Sequence, residues 1–435
     1  MIFVKELEKY NINYLKSIFL NDSSIIEYLI SKKILIKYDS GFYSFDYVGI
    51  LLYKDEVIFS LPKYTQKSNY KDKAVKLLQL FGQYTKREKL EEEELETFGA
   101  IDSTTSYNML STIIFILNDY IENGVYTNEK SVNELNGNSE INWQKTIDDV
   151  MPILSNGNVL YLDYYTDTYI TDDENYFMQL HKYIINECTK KLDSYGLIEY
   201  FGFSRFEFDV DENTLGSPNY ITTKLNNELS IQFVSRKQIL LKAMISFINN
   251  VIINSDNNFV SFYGTRSFNL VWEKTCGYVL NNKYPILKKL ISNPIWTLDG
   301  VIEYKAPTLK PDILCVTHNT FAILDAKYYK LEIKNDTIVG HPGVEDVTKQ
   351  YLYHLAFEAF IRKFNFSNVK NVFLLPTEKN SLSQIGTVKI DFLRSLTLRD
   401  ILLFEVPAEM IFEMYSKGKK ISIESFLNLS IETIE

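Results

Sequence analysis

Cysteine is scarce in this chain. Only Cys188, Cys276 and Cys315 occur in 435 residues, far apart and without a Cys-x-x-Cys spacing. That excludes a disulfide framework and a structural zinc site. Histidine is nearly as rare: His181, His318, His341 and His354 form no HExxH or other paired spacing. No Gly-x-x-x-x-Gly-Lys-Ser/Thr loop is present, so the chain is not expected to hydrolyse a nucleotide itself. No helix-turn-helix or zinc-finger pattern can be read from which to argue base contacts. No apolar run is long enough to span a bilayer, and the first residues lack a basic-then-apolar signal. The expectation is a cytoplasmic protein without a membrane partner. Positive charge is also short, with a formal net charge of −10.

What is present is ordinary in amount and uneven in placement. Hydrophobic residues make up 46% of the chain, and 435 residues suffice for two or three domains. Residues 231–435 carry 24 Lys and Arg against 20 Asp and Glu, a net of +4, which leaves −14 for residues 1–230. A surface that acidic is poorly suited to follow a phosphate backbone, and suits a protein partner better.

The patterning predicts an α+β multidomain protein. Residues 1–85 read as a β-rich module, with strands over 41–53 and 57–64 around the Lys54-Asp55-Glu56 turn. Residues 86–235 read as an acidic, mainly helical middle region. In it, 87–96 is a charge-rich solvated helix or linker, a helix runs through Asp119 to Glu122, residues 123–142 form a polar loop, and 176–194 form an amphipathic helix. Residues 236–435 form the third part, its tail from 400 onward closing the core. There are no internal repeats.

The third part carries the chemistry. Pro311-Asp312-Ile313-Leu314-Cys315-Val316 and Phe321-Ala322-Ile323-Leu324-Asp325-Ala326-Lys327 are two β-prone runs joined by the polar turn Thr317-His318-Asn319-Thr320. A hairpin is the natural reading. Residues two apart on a strand share a face, so Asp325 and Lys327 point together while Ala326 turns toward the core. A surface Asp-x-Lys is ordinarily a solvated edge. Here four apolar residues precede the acid, and an acid and a lysine leaving a buried strand together need a reason. Phosphodiester hydrolysis supplies one. A hard cation such as Mg²⁺, with Mn²⁺ able to substitute, takes a few carboxylate oxygens, polarises phosphate and acidifies water. Asp312 and Asp325 are the two acids that would hold the ion, the Ala326 carbonyl between Asp325 and Lys327 would complete the metal shell, and Lys327 would hold or deprotonate the water and offset developing charge. Glu273, in a helical stretch from Phe268, is a third acid, although helices carry many glutamates. Residues 344–357 have helical periodicity and present Lys349, Gln350 and Tyr353 near one face; Gln350 is a further catalytic candidate, although packing and surface roles would explain it and Tyr353 nearly as well. Asn371–Pro376 reads as a buried strand. The order helix, strand pair, helix, strand fits a small mixed sheet flanked by helices, the α/β core of a PD-(D/E)xK nuclease.

In order along the chain, three segments extend this reading. They are Tyr47-Val48-Gly49-Ile50-Leu51 with Ile58 and Leu61-Pro62-Lys63-Tyr64; Ile141-Asn142-Trp143-Gln144-Lys145-Thr146-Ile147 with Pro152 and Tyr161; and Trp272-Glu273, Pro311-Asp312, Asp325-Ala326-Lys327-Tyr328 with the Gln350 helix. Together they resemble the McrC/LlaJI-type restriction endonuclease subunits. The resemblance implies a Mg²⁺-dependent endonuclease acting on double-stranded DNA in complex with an AAA+ GTPase of the McrB type, docked through its N-terminal half. A non-catalytic adaptor that activates such an NTPase, or a standalone repair nuclease, are the alternatives. The intact acid–acid–lysine set speaks against the first, and the long acidic front half is surplus to the second.

Overall fold

In this computed structural model the described residues are 1–66, 68–90, 98, 108–171, 176–253, 260–298, 302–396 and 398–429. The charge-rich stretch expected at 87–96 therefore lies mostly outside them. The chain forms two compact units, one of residues 1–98, 200–202 and 260–435, the other of 99–199 and 203–259. Together they make an α+β protein with several separate sheets.

In the first unit, Val48–Tyr53 and Glu56–Leu61 form an antiparallel hairpin. The turn is held by Lys54 at φ 54°. Ile2–Lys5 joins parallel to the second strand, and Val260–Thr265 joins antiparallel to the first. Gly49 and Gly264 are register partners in that last pair. Gly49 has φ 145°, and a Cβ there would lie 2.4 Å from the Tyr263 carbonyl oxygen, so no larger residue fits. The single strand expected over 41–53 is two strands. Tyr43–Phe45 pairs with Leu35–Lys37, Asp46 turns to give its N–H to the Ile34 carbonyl, and Val48 then enters the larger sheet. Alternation shows that residues are extended, not which sheet they join.

The same unit holds a five-stranded mixed sheet in the order Ile313–Val316, Thr320–Ala326, Asn368–Thr377, Ile401–Pro407, Ser383–Val388. The first pair is the expected hairpin, the next two pairs are parallel, and the last is antiparallel. The tail thus does close this core, through its 401–407 strand. The helix Val344–Phe364 makes the crossover between the parallel strands 320–326 and 368–377. Glu345 and Asp346 in its first turn and Arg362 and Lys363 in its last suit its dipole, and Asn365 ends it in the left-handed region at φ 49°. Phe321 and Ile323 pack with Tyr353 and Phe357 of this helix, and Phe373 packs with Val347 and Tyr351. The helix Phe268–Val279 carries Phe268 and Trp272, which meet Phe412 edge-on at 6.1 and 6.0 Å between ring centres.

The second unit is built on the helices Met109–Asn123, Tyr176–Ser194, Pro218–Ile231 and Ser235–Phe247. It also contains strands that its composition concealed. Within the loop expected at 123–142, Glu129–Leu135 and Glu140–Ile141 both pair with Tyr165–Thr171. Residues 132–135 are exposed, so no apolar face marks the period-two pattern. The register is held by polar groups: Asn133 and Asn142 both donate to Asp167, at 2.6 and 3.1 Å. Among the described residues, no helix is long and apolar enough to cross a membrane.

One buried titratable group sets a pH limit on the second unit. His181 is fully buried, its Nδ1 accepting the Tyr126 N–H at 2.8 Å. Burial, against the pull of Asp119, lowers its pKa to about 4. The unfolded chain takes up this proton near pH 6.5, so the stabilisation is complete above that pH and is lost as pH falls toward 4. It amounts to roughly 3 kcal/mol. Melting temperature should therefore fall between roughly pH 6.5 and roughly pH 4, and His181→Gln should flatten that slope. Parallel slopes for the two proteins would contradict it.

Candidate active site

The apolar run Phe321 to Leu324 is fully buried, and Asp325 at its end is only 4% exposed. The hairpin pairs Ile313 with Leu324. One step further, Asp312 stands opposite Asp325, with the two side chains on one face. These like groups share a hydrogen bond, and Asp312 also accepts the Ala326 N–H at 3.1 Å. Burial, then the hydrogen bond and charge of Asp325, then the charge of Glu273, push Asp312 up to about 9. Two carboxylates this close resist ionising together, and Asp312 is the one whose neutral form is favoured.

Lys327 lies 3.0 Å from Asp325 Oδ2 and 2.8 Å from Asp346 Oδ1. Burial opposes its charge, but Asp325 and Asp346 outweigh that and hold its pKa well above the ordinary lysine value. The two carboxylates thus favour its charged, donating form. Asp346, in the first turn of the crossover helix, was not singled out by the sequence; an acid at a helix start there was the available signal. The backbone of Lys327 is fixed too. Its N–H donates to the Leu374 carbonyl at 3.0 Å, and the same carbonyl takes the Trp272 indole N–H at 3.1 Å.

Glu273, one residue along that helix, is half-buried and within electrostatic range of Asp325 and Lys327. Burial raises its pKa, Lys310 opposes the rise, and Asp325 adds to it. Gln350 is fully buried beneath the strand, and its Nε2 donates to the Ile323 carbonyl at 2.9 Å. Its Oε1 has no hydrogen-bond partner among the described residues. Tyr353 donates to the Lys310 carbonyl at 3.1 Å, and burial followed by Asp325 and Asp312 raises its phenol to about 12. The sequence also gave no sign of Asn282. Its side chain donates to the Asp312 carbonyl at 2.6 Å and accepts the Leu314 N–H at 2.9 Å, which holds the first acid in place. Asp312, Asp325, Ala326 and Lys327 thus meet in one corner, Glu273 lies within electrostatic range of it, and Gln350 bonds the strand that carries Asp325. His318 sits in the exposed hairpin turn, bonded to its neighbour Asn319.

The N-terminal strands reach this corner through Tyr328, the residue after Lys327. Its hydroxyl donates to buried Glu6 and accepts the Lys63 N–H, which also bonds Glu6 at 3.1 Å. The Lys63 ammonium lies 4.2 Å from the centre of the Tyr328 ring. Burial is the main reason the Glu6 pKa is raised, and the Tyr328 bond acts against it.

Most of the chain is similar to known proteins. The model of the LlaJI restriction endonuclease family matches residues 47–414. A curated protein of Bacillus subtilis (strain 168), "Type II restriction enzyme BsuMI component YdjA", is 29% identical over 450 residues, covering 99% of this chain and 92% of its own length. Among solved structures, a half-complex of Thermococcus gammatolerans McrB AAA+ hexamers with bound McrC aligns at a TM-score of 0.41 and 10% identity, over 96% of this chain and 98% of the other. A second Thermococcus gammatolerans McrBC complex aligns at 0.24 and 10% identity, over 58% and 87%.

Tyr328→Phe keeps the ring and removes the hydroxyl. It should destabilise the protein by about 1–3 kcal/mol through the buried Glu6 left short of a donor, read as a lower denaturant midpoint. An unchanged midpoint would mean that the junction carries no stability.

Proposed function

Because the chain belongs to the LlaJI restriction endonuclease family, we propose that it is the Mg²⁺-dependent endonuclease subunit of a McrBC-like restriction system, hydrolysing double-stranded DNA with a PD-(D/E)xK core built on the five-stranded sheet of residues 313–407. The observation that carries this reading is the facing pair Asp312 and Asp325 with Lys327 bound to the second acid. Among the described residues no three His, Cys, Asp or Glu side chains gather closely enough to cage a metal. The donor set at the corner is nonetheless all oxygen and short of positive charge. That suits a hard cation which keeps several waters and uses one or two carboxylates.

Asp312, Asp325 and the Ala326 carbonyl would hold Mg²⁺, or Mn²⁺, with Glu273 as the outlying acid. When bound, the ion supplies polarisation of the phosphate and acidification of a water. Asp312 would hold the ion in its deprotonated form. Lys327 stays protonated, holds the attacking water by its lone pair and offsets the charge developing on the phosphoryl oxygens. Asp346 and the Leu374 carbonyl keep Lys327 aimed. Gln350 acts on the strand and not on the phosphate.

Double-stranded DNA is the substrate and an AAA+ GTPase of the McrB type is the partner, in the cytoplasm. Residues 1–85 serve as the docking module, with the acidic region 86–235 adding to the docking surface. The solved complexes bearing McrB and McrC names suggest this pairing, and the −14 charge of residues 1–230 suits a protein contact better than a DNA contact.

Plasmid cleavage tests the reading, with the candidate GTPase and GTP present or absent. Wild-type protein should cut with the motor, GTP and Mg²⁺. Lys327→Ala and Asp325→Asn should each lose on the order of 10³-fold in rate while still stimulating the GTPase. Cutting by folded Lys327→Ala at the wild-type rate would overturn the catalytic assignment.

A further inference from the structure

Beside the acid pair lies a cavity of about 390 Å³ that the cleavage chemistry does not use. Its walls include Lys5, Tyr64, Tyr329, Lys330, Lys379 and Glu405. Two of these, Tyr329 and Lys330, lie two and three residues after Lys327 in sequence. Lys5 ends the first strand of the N-terminal sheet, and Tyr64 follows Lys63 of the Tyr328 junction. The wall formed by residues 64–66 is tied to the C-terminal sheet. Glu378 accepts the Gln66 N–H at 2.8 Å and pairs with Lys73 at 3.0 Å.

The floor faces the same way as the acids. Asp325 pairs in register with Phe373, and Leu375, two residues on, pairs with Glu405. Residues two apart and register partners in parallel strands share a face. Leu375, a lining residue, is thus one strand over and two residues along from Asp325, about 8 Å by strand geometry. That is about two nucleotide steps along a duplex axis.

The charge of the lining is positive on balance. Glu405 is engaged by Lys379, and Lys330 pairs with Glu332 at 2.8 Å. Lys5 has no carboxylate partner among the described residues and is half-exposed at the cavity wall. Ammonium groups, two phenol rings and a small apolar floor suit an anionic, partly flat group, and the volume lies at the low end for a small-molecule site.

We propose that this cavity binds a flanking nucleotide of the cut strand, about two steps from the scissile bond, its phosphate on Lys5, its sugar and base against Tyr64 and Tyr329. This rests on the nuclease reading above and adds a substrate subsite to it. The subsite would fix the strand's register over Lys327 before hydrolysis, so its loss should weaken binding without changing the chemical step.

The test uses the full chain with its motor and a cleavable duplex, and measures binding with Ca²⁺ in place of Mg²⁺. Lys5→Ala should weaken duplex binding several-fold, lower the salt dependence by about one charge, and leave kcat at saturating DNA unchanged. A photo-crosslinking residue at exposed Gln66, which also lines the cavity, should then label a nucleotide about two steps from the cut. Normal cleavage with labelling elsewhere, or with the Lys5→Ala salt slope unchanged, would overturn the subsite and leave the nuclease reading intact. Failure of the wild-type protein to bind or cut DNA would overturn both.

Discussion

Two acids facing each other across a buried hairpin are the constraint on which the C-terminal half depends. Asp312 and Asp325 cannot both ionise in that position without a counter-charge, and the hairpin register gives them no freedom to separate. The surroundings answer this from several sides. Lys327 lies against Asp325, Asp346 holds Lys327 from the crossover helix, and the Ala326 N–H supports Asp312. A protein selected only for stability would place an apolar pair there. An electrostatic deficit kept in a rigid corner is what a cation-dependent site requires.

The rigidity comes from backbone groups held by buried and half-buried side chains. The Leu374 carbonyl takes both the Lys327 N–H and the Trp272 indole, so the residue carrying the ammonium is fixed to the neighbouring parallel strand and to a buried helix. Asn282 does the same for the other acid, and Gln350 for the middle of the strand. Tyr328 extends this chain of contacts to Glu6 and Lys63. The N-terminal strands therefore bear on the end of the strand that carries the acid and the lysine.

Much of this was legible in the sequence, for physical reasons. An apolar run that ends in Asp-x-Lys can be recognised because burial and charge conflict there. The hairpin, the helix from Phe268 and the crossover helix all show their periods, and the structure contains each. Asp346 and Asn282 were not legible, because each is an ordinary polar residue until the fold brings it against a partner distant in sequence. The strands at 129–141 were hidden because their exposed, polar residues leave no alternation to read. The break at Asp46 was hidden because extended residues do not announce which sheet they join. The cavity beside the acids is assembled from residues of both ends of the chain, which no local pattern can reveal.

The most direct measurement is calorimetric titration of the protein with Mg²⁺ in two buffers of different ionisation heat, at several pH values. The account predicts binding with proton release, tighter as pH rises, because the Asp312 carboxyl, held up to about 9, must lose its proton to bind the ion. Asp312→Asn should abolish that binding while the protein stays folded. Equal Mg²⁺ affinity in the wild type and Asp312→Asn, with no proton released, would contradict it.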